Sequence, residues 1–182
     1  MYTAGDARSH TIFPVVMSAA PPRPSRTVKE TQHETSQLMM PQHANVLGHV
    51  FGGVILSAMD LTAAVAAFRH ARAAVVTVSI DRVDFHEPIH IGDLVVMRAS
   101  VNYVGRSSME VGVRVEAEDL LTGRRRHTNS GYLTFVAVDG SGQPVVTPLL
   151  VAETEDERRR YAAGEVRFRR RRDERTLKEQ TR

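Results

Sequence analysis

The hydrophobic pattern of the sequence changes its period once, near residue 70, and this change limits the folds that the chain can adopt. Over residues 48–70, apolar side chains occur almost all round a helical projection, which predicts a buried helix and not a surface one. Beyond it, apolar and polar residues alternate, as they do in strands with one buried face. The alternation places Tyr103 with the inward residues of 94–104 and Glu110 with the outward residues of 109–118.

Short turns separate most of the predicted strands, so neighbouring strands must run antiparallel. One short strand precedes the helix and four follow it, at residues 35–40, 75–85, 94–104, 109–118 and 127–138. A sheet with one apolar face needs a cover, and the helix at 48–70 is the apolar helix available for it. We therefore predict an α+β domain in which a curved antiparallel sheet of five to six strands wraps around one long buried helix.

The composition divides the chain into three parts. Residues 1–30 are rich in proline near their end and lack periodicity, which predicts a disordered or loosely attached leader before a domain at 31–150. Residues 151–182 are expected to form a charged, partly helical or disordered tail. From residue 152 onward the tail holds 11 Lys and Arg against 8 Asp and Glu, so it accounts for the whole formal charge of +3. Its arginine run at 167–172 could contact nucleic acid, but the interspersed acids favour a solvated tail.

Several classes of site and segment are disfavoured by the residues themselves. The chain has no cysteine, which excludes disulfides and thiolate chemistry and fits a cytoplasmic location. The most apolar stretch, 50–68, contains Asp60 and two glycines, and we expect no membrane span. None of the eight histidines forms a metal-ligand pair with a carboxylate partner, so no metal is expected. A Gly-x-Ser-x-Gly nucleophile elbow is also missing.

Three features interrupt the apolar helix and its approach, and each has two interpretations. Asp60 is a carboxylate in an apolar run, which costs free energy unless it is functional or is satisfied by donors at an interface. Gly52 and Gly53 either let the helix pack tightly or let a substrate approach the backbone. Asn45, in the preceding loop, is either a capping residue or a ligand-orienting amide.

Four segments in register carry a family resemblance: "PQHANVLGHVFGGVILSAMD", "VVTVSIDRVDFHEPIHIGDLV", "NYVGRSSMEVGVRVEAED" and "GRRRHTNSGYLTFVAVD". Together they resemble the hotdog-fold acyl-CoA thioesterases, most closely the cytosolic acyl-CoA hydrolases, over about residues 30–150. The resemblance implies hydrolysis of acyl-CoA to a free acid and CoA, without a cofactor other than the CoA of the substrate. It also implies a homodimer as the minimal active unit, assembled as a trimer of dimers.

The same resemblance implies roles for individual residues. Asp60 matches the acidic residue that acts as general base or nucleophile, and Asn45 would orient the water or the thioester. Gly52 and Gly53 would offer backbone amides to the oxyanion at the helix start. Asn45 of one protomer and Asp60 of its partner would form one composite site. The CoA moiety would contact the following residues: Arg106, Ser107, Ser108, Arg125, Arg126, Thr77, Val78 and Ser79.

Two other functions stay open at this point. The first is a non-catalytic hotdog protein that senses acyl-CoA and binds nucleic acid through its basic tail, although such a sensor would need neither Asn45 nor Asp60. The second is a hotdog dehydratase, which needs a histidine paired with a carboxylate. His43 and His49 lie near the helix, but their spacing to Asp60 does not follow that pattern.

Overall fold

The computed structural model describes residues 23–180, and the predicted leader up to residue 22 lies outside the described residues. The elements follow one another as β1 (Ser25–Thr27), α1 (Val28–Thr31), β2 (His33–Leu38), α2 (Gly52–Ala71), β3 (Ala74–Ile80), β4 (Asp93–Val104), β5 (Ser108–Asp119), β6 (Arg125–Val138), β7 (Leu149–Val151) and α3 (Glu155–Gln180). A short 3-10 helix, Pro41–His43, lies between β2 and α2.

Strands β2 to β6 form one curled antiparallel sheet in the order β2-β4-β5-β6-β3. Helix α2 lies on its inner face, and the core is made of α2 side chains and the inward residues of β4, β5 and β6. The predicted α+β hotdog architecture is thus confirmed. The remaining strands, β1 and β7, pair in parallel as a separate two-stranded ribbon.

Helix α2 begins at Gly52, four residues later than predicted, after Phe51 in an extended conformation. It ends at Ala71, because Arg72 adopts a left-handed conformation with φ of 53°. Among residues 23–180, α2 is the one helix whose length and composition would allow it to cross a membrane. In this fold it packs against the sheet and buries the following residues: Ile55, Met59, Thr62, Ala63, Ala66, Ala67 and His70.

Strand β3 is shorter than the predicted strand at 75–85, because the chain leaves the sheet after Ile80. The amide of Asp81 donates to the carbonyl of Tyr132 at 2.9 Å, and the chain next bonds to β6 at His86, whose amide donates to the Thr128 carbonyl at 2.9 Å. The segment that follows brings the ring of Phe85 against Gly52 at the start of α2. Residues 81–85 therefore connect the sheet edge with the helix start and do not extend the strand.

The prediction that Tyr103 faces the core is wrong, because the ladder between β4 and β5 shifts its register between Val101 and Tyr103. The extra residue, Asn102, reverses the alternation, so Tyr103 lies on the outer face of the sheet. There its ring packs 5.1 Å from the rings of both Tyr161 and Phe168 of α3, measured between ring centroids.

Residues 155–180 form one continuous helix, in agreement with the helical part of the expectation for the tail. The tail is not fully solvated, because the inner side of this helix is covered. Glu110 does face outward, as predicted, yet it is only 2% exposed because α3 lies over it. Gly164 permits this approach, since a Cβ atom there would lie 2.9 Å from the Cβ of Tyr103.

The end of the predicted leader is likewise structured. Residues 25–27 form β1, which pairs with β7, and Thr27 caps α1 through a reciprocal pair of hydrogen bonds with Glu30. The folded unit therefore includes chain on both sides of the predicted 31–150 domain.

Candidate active site

Asp60 is half-buried in the third turn of α2 and has a specific partner on β3. The hydroxyl of Thr77 donates a hydrogen bond of 2.8 Å to Oδ1 of Asp60. This contact supplies the polar partner that a carboxylate in an apolar helix requires. It also fixes the orientation of the carboxylate relative to the edge of the sheet.

The Asp60–Thr77 pair lies at an open edge, because β3 is the last strand of the sheet and pairs only with β6 among the described residues. Large apolar side chains on and beside this edge are exposed, and the fraction reaches 54% at Val78 and 67% at Leu61. Val78 occupies a register shift between Thr77 and Ser79, which bends the strand at the point where it meets Asp60.

Asn45 organises the loop that leads into α2. Its Oδ1 accepts hydrogen bonds from the amides of Leu47 at 2.9 Å and His49 at 3.2 Å, and its own amide donates to the His49 carbonyl at 2.7 Å. The capping interpretation is therefore correct for the side-chain oxygen. Within residues 23–180, both side-chain hydrogen bonds use Oδ1, which leaves the N–H donors of Nδ2 to a ligand.

Two aromatic rings lie against the glycines at the start of α2. A Cβ atom on Gly53 would lie 2.3 Å from the ring of Phe51, whereas one on Gly52 would lie 3.5 Å from the ring of Phe85. The amides of Gly52 and Gly53 at the helix start have no partner within the helix, and the helix dipole is positive here. The glycines thus make room for the two rings beside a backbone that is rich in hydrogen-bond donors.

One protomer does not bring all of these groups to one point. Seven residues separate Gly53 from Asp60 along α2, which corresponds to about 10 Å. The amides at the helix start and the Asp60 carboxylate therefore lie two turns apart.

Apart from residues 77–79 on β3, the residues assigned to CoA form two separate groups. Ser108 pairs with Val136 near one end of β6, while Arg126 pairs with Ala117 near the other end. Arg126 and Val136 are ten positions apart on the strand, which corresponds to about 33 Å. Within one protomer, the turn that holds Arg106, Ser107 and Ser108 and the pair Arg125 and Arg126 cannot line the same pocket.

The two arginines on β6 already have carboxylate partners. Arg126 is only 13% exposed and binds Asp93 and Glu87, which ties the segment before β4 to β6. Arg125 binds Glu118 across the ladder at 2.7 Å. In the other group, the Arg106 carbonyl accepts from the Thr147 amide at 3.0 Å, which fixes the backbone of the turn.

The contact between Asp60 and Thr77 could not be read from local sequence. The two residues lie 17 positions apart, on a helix and a strand, and meet only when α2 docks on the sheet. The aromatic cover of the helix start by Phe51 and Phe85 depends on the same docking. Over the described part of the chain, no group of three or more His, Asp or Glu residues could hold a metal ion.

The sequence of this chain is similar to those of proteins from a known family. The profile of the thioesterase superfamily matches residues 47–123. An uncharacterized acyl-CoA thioester hydrolase of Bacillus subtilis is 42% identical over 133 residues, covering 73% of this chain and 77% of the relative. The cytosolic acyl coenzyme A thioester hydrolase of Mus musculus is 32% identical over 156 residues, which are 85% of this chain but 41% of that protein.

Solved structures agree with the sequence relatives. An acyl-CoA hydrolase of Staphylococcus aureus, solved in complex with butyryl coenzyme A and coenzyme A, superposes with a TM-score of 0.80 at 36% identity, covering 87% of this chain and 96% of that one. A hexameric acyl-CoA thioesterase superposes with a TM-score of 0.81 at 41% identity, covering 85% of this chain and 99% of that one.

Proposed function

This chain belongs to the hotdog-fold acyl-CoA thioester hydrolases of the thioesterase superfamily, and we propose that it hydrolyses acyl-CoA to a free acid and CoA with Asp60 as the general base. The observation that carries the proposal is the Asp60 carboxylate, held by Thr77 in the core helix beside the open edge of the sheet. An acyl-CoA substrate requires no further cofactor for hydrolysis.

The spacing of three residues supports this assignment. Structures of the Staphylococcus aureus acyl-CoA hydrolase include variants with alanine in place of one asparagine, one aspartate and one threonine. The separations between those positions are 15 and 17 residues, the same as those from Asn45 to Asp60 and from Asp60 to Thr77. The three residues of this chain are therefore proposed to act together.

The proposed reaction begins when a water molecule attacks the thioester carbonyl carbon and gives its proton to Asp60. Thr77 holds Oδ1, which leaves Oδ2 to accept that proton. The amides at Gly52 and Gly53 stabilise the oxyanion of the tetrahedral intermediate. When the intermediate collapses, the bond to sulfur breaks and the proton on Asp60 passes to the departing CoA thiolate.

We further propose that each site is composed of two protomers, in which Asn45 and the helix start of one face Asp60 of the other. The separation of about 10 Å along α2 favours this arrangement over a site within one chain. The unpaired edge of β3 and its exposed apolar side chains are suited to a twofold contact with a second copy. Hexameric relatives favour a trimer of such dimers, and the cytosolic relatives favour a cytoplasmic location.

The two groups of CoA-binding candidates then belong to different protomers at each site. Arg106, Ser107 and Ser108 would meet the phosphates from one side, and Arg125 and Arg126 from the partner. Val78 and Ser79 follow Thr77 on β3 and lie beside Asp60, where their backbone would contact the pantetheine. Thr77, in contrast, is assigned to Asp60 and not to CoA.

The test is the release of free thiol from acyl-CoAs of increasing chain length. Replacing Asp60→Asn should lower kcat by about 10²–10⁴-fold, because the general base is lost. Asp173→Asn serves as the matched control, since Asp173 is 72% exposed on α3. Full activity of the Asp60 variant would refute the site but not the class. Binding of acyl-CoA without any thiol release by the unmodified protein would favour the sensor.

A mixing experiment tests the composite site. Asn45→Ala and Asp60→Asn proteins are each expected to be nearly inactive. Dimers formed from one copy of each contain one intact pair of Asn45 and Asp60, so random mixing should restore about a quarter of the activity. No recovery after verified subunit exchange would show that each protomer uses its own two residues.

A further inference from the structure

Helix α3 is attached to the outer face of the sheet through a buried ion cluster. The Glu110 side chain on β5 is 1% exposed, and its carboxylate accepts hydrogen bonds from Arg167 at 2.7 Å and Arg171 at 2.8 Å, two residues one turn apart on α3. The Arg167 guanidinium also stacks over the Tyr132 ring, 3.6 Å from its centroid.

Arg171 differs from Arg167 because it has a second carboxylate partner. Its Nη1 donates to Asp81 at 2.7 Å, and both side chains are 17% exposed. Arg171 therefore joins β5 to the residue that directly follows β3 at the edge of the sheet. Arg167 hydrogen-bonds Glu110 and makes no hydrogen bond to Asp81 among the described contacts.

Asp81 lies midway between two residues that contact the proposed site. Thr77, four positions before it, holds Asp60. Phe85, four positions after it, packs on Gly52 at the start of α2. The strand before Asp81 is an edge strand with a register shift, and the segment after it is largely exposed. An anchor at Asp81 thus acts between the ladder that holds Thr77 and the hydrogen bond from the His86 amide to Thr128, in a stretch that has no regular pairing with β6.

We propose that Arg171 is a positioning residue of the thioesterase site, and that α3 acts on Thr77 and Phe85 through the Arg171–Asp81 ion pair. This role rests on the proposed function, because it matters for catalysis only if Asp60 and the start of α2 form the site. Helix α3 then does more than cover the sheet, because it sets the position of β3 and of the loop after it, which flank the substrate.

Steady-state thiol release over a range of acyl-CoA concentrations, which gives kcat and KM separately, tests the role with two matched variants. Arg171→Met and Arg167→Met each remove one cation from Glu110 and leave the other, so Glu110 remains paired in both. Arg171→Met should lower kcat by about threefold to thirtyfold with little change in KM, while Arg167→Met should retain the kcat of the unmodified enzyme. Asp81→Asn should lower kcat as much as Arg171→Met does. The double variant Arg171→Met/Asp81→Asn should lose no more kcat than either single variant.

Amide hydrogen exchange provides a readout that does not depend on catalysis. Residues 77–85 should exchange faster in Arg171→Met than in Arg167→Met, both being compared well below their unfolding temperatures. Equal exchange in the two variants would overturn the proposal, as would an equal loss of kcat in both, which indicates a purely structural helix. If instead Asp60→Asn remains fully active while the exchange difference is found, the proposed site fails and the mechanical link from α3 to β3 stands.

Discussion

Replacing Glu110 with alanine should destabilise the fold far more than any surface carboxylate does. Its carboxylate is 1% exposed and lies between two guanidinium groups whose side chains are 19% and 17% exposed. Without the Glu110 carboxylate, Arg167 and Arg171 face one another at low solvent exposure, and Asp81, which binds Arg171, is the carboxylate that remains. Removing one partner of a buried ion pair typically costs about 3–5 kcal/mol of unfolding free energy.

The loss should be visible in thermal and urea unfolding. For a chain of this size, 1 kcal/mol corresponds to about 2–4 °C, so the midpoint should fall by about 6–20 °C. Measurements should use one fixed protein concentration, because an oligomer gains stability by mass action. The matched control is Glu165→Ala, whose partner Arg169 is 66% exposed one turn away, and its effect should stay within about 1 kcal/mol.

A triple variant distinguishes loss of the cluster from loss of packing. When Glu110, Arg167 and Arg171 are all replaced by methionine, the buried carboxylate and its two guanidinium partners are removed together. Asp81, whose side chain is 17% exposed, then lacks Arg171, so much but not all of the stability should return. A loss below about 1 kcal/mol for Glu110→Ala would refute the reasoning, since it would mean that the cluster does not hold α3 on the sheet.

Two further outcomes follow from single residues. Burial lowers the pKa of His70, against the opposing hydrogen bond to the Pro148 carbonyl, so the unfolded chain takes up a proton at this residue before the folded one does. The contribution of His70 to the unfolding free energy should therefore be level above pH 7 and should fall as the pH drops below about 6.5. Urea titrations from pH 8 to 5 should show a flatter dependence on pH for His70→Gln than for the unmodified protein. The same dependence in both proteins would contradict this. Gly53→Ala should lower kcat/KM more than Gly52→Ala does. The new Cβ atom would lie 2.3 Å from the Phe51 ring at position 53, whereas at position 52 it would lie 3.5 Å from the Phe85 ring. Equal effects of the two variants in the thiol-release assay would contradict the packing argument.

The fold could be predicted from the sequence because buried residues recur at regular intervals along its helix and strands. Every second residue of β5 from Met109 to Ala117 is buried, and such an alternation admits one register relative to the core. Asp60 was found for the opposite reason, since a carboxylate is anomalous in an apolar helix. Thr77 was assigned to CoA, and its contact with Asp60 was not predicted, because that contact depends on how the helix docks on the sheet.

Tyr103 shows where the periodic argument fails. One extra residue in β4 is enough to transfer every later side chain of that strand to the opposite face, and nothing in the local composition marks the position of the shift. The structure gives the shift a consequence, because it delivers an aromatic ring to the outer face at the place where α3 docks.

The charged tail was expected to be partly helical, but the residues that pack this helix on the sheet were not identified. Tyr161, Gly164, Phe168 and Arg171 recur at intervals of three and four residues, and all lie on the inner side of α3. Arginines with long apolar stems can belong to such a stripe, so a run of them does not by itself indicate solvation. Those on the outer side meet acids one turn away in the pairs Glu165–Arg169, Arg170–Glu174 and Arg175–Glu179. Some arginines of the run thus bind carboxylates of the sheet, and others form surface ion pairs within α3. Because these arginines already have carboxylate partners, they are poorly suited to bind nucleic acid phosphates.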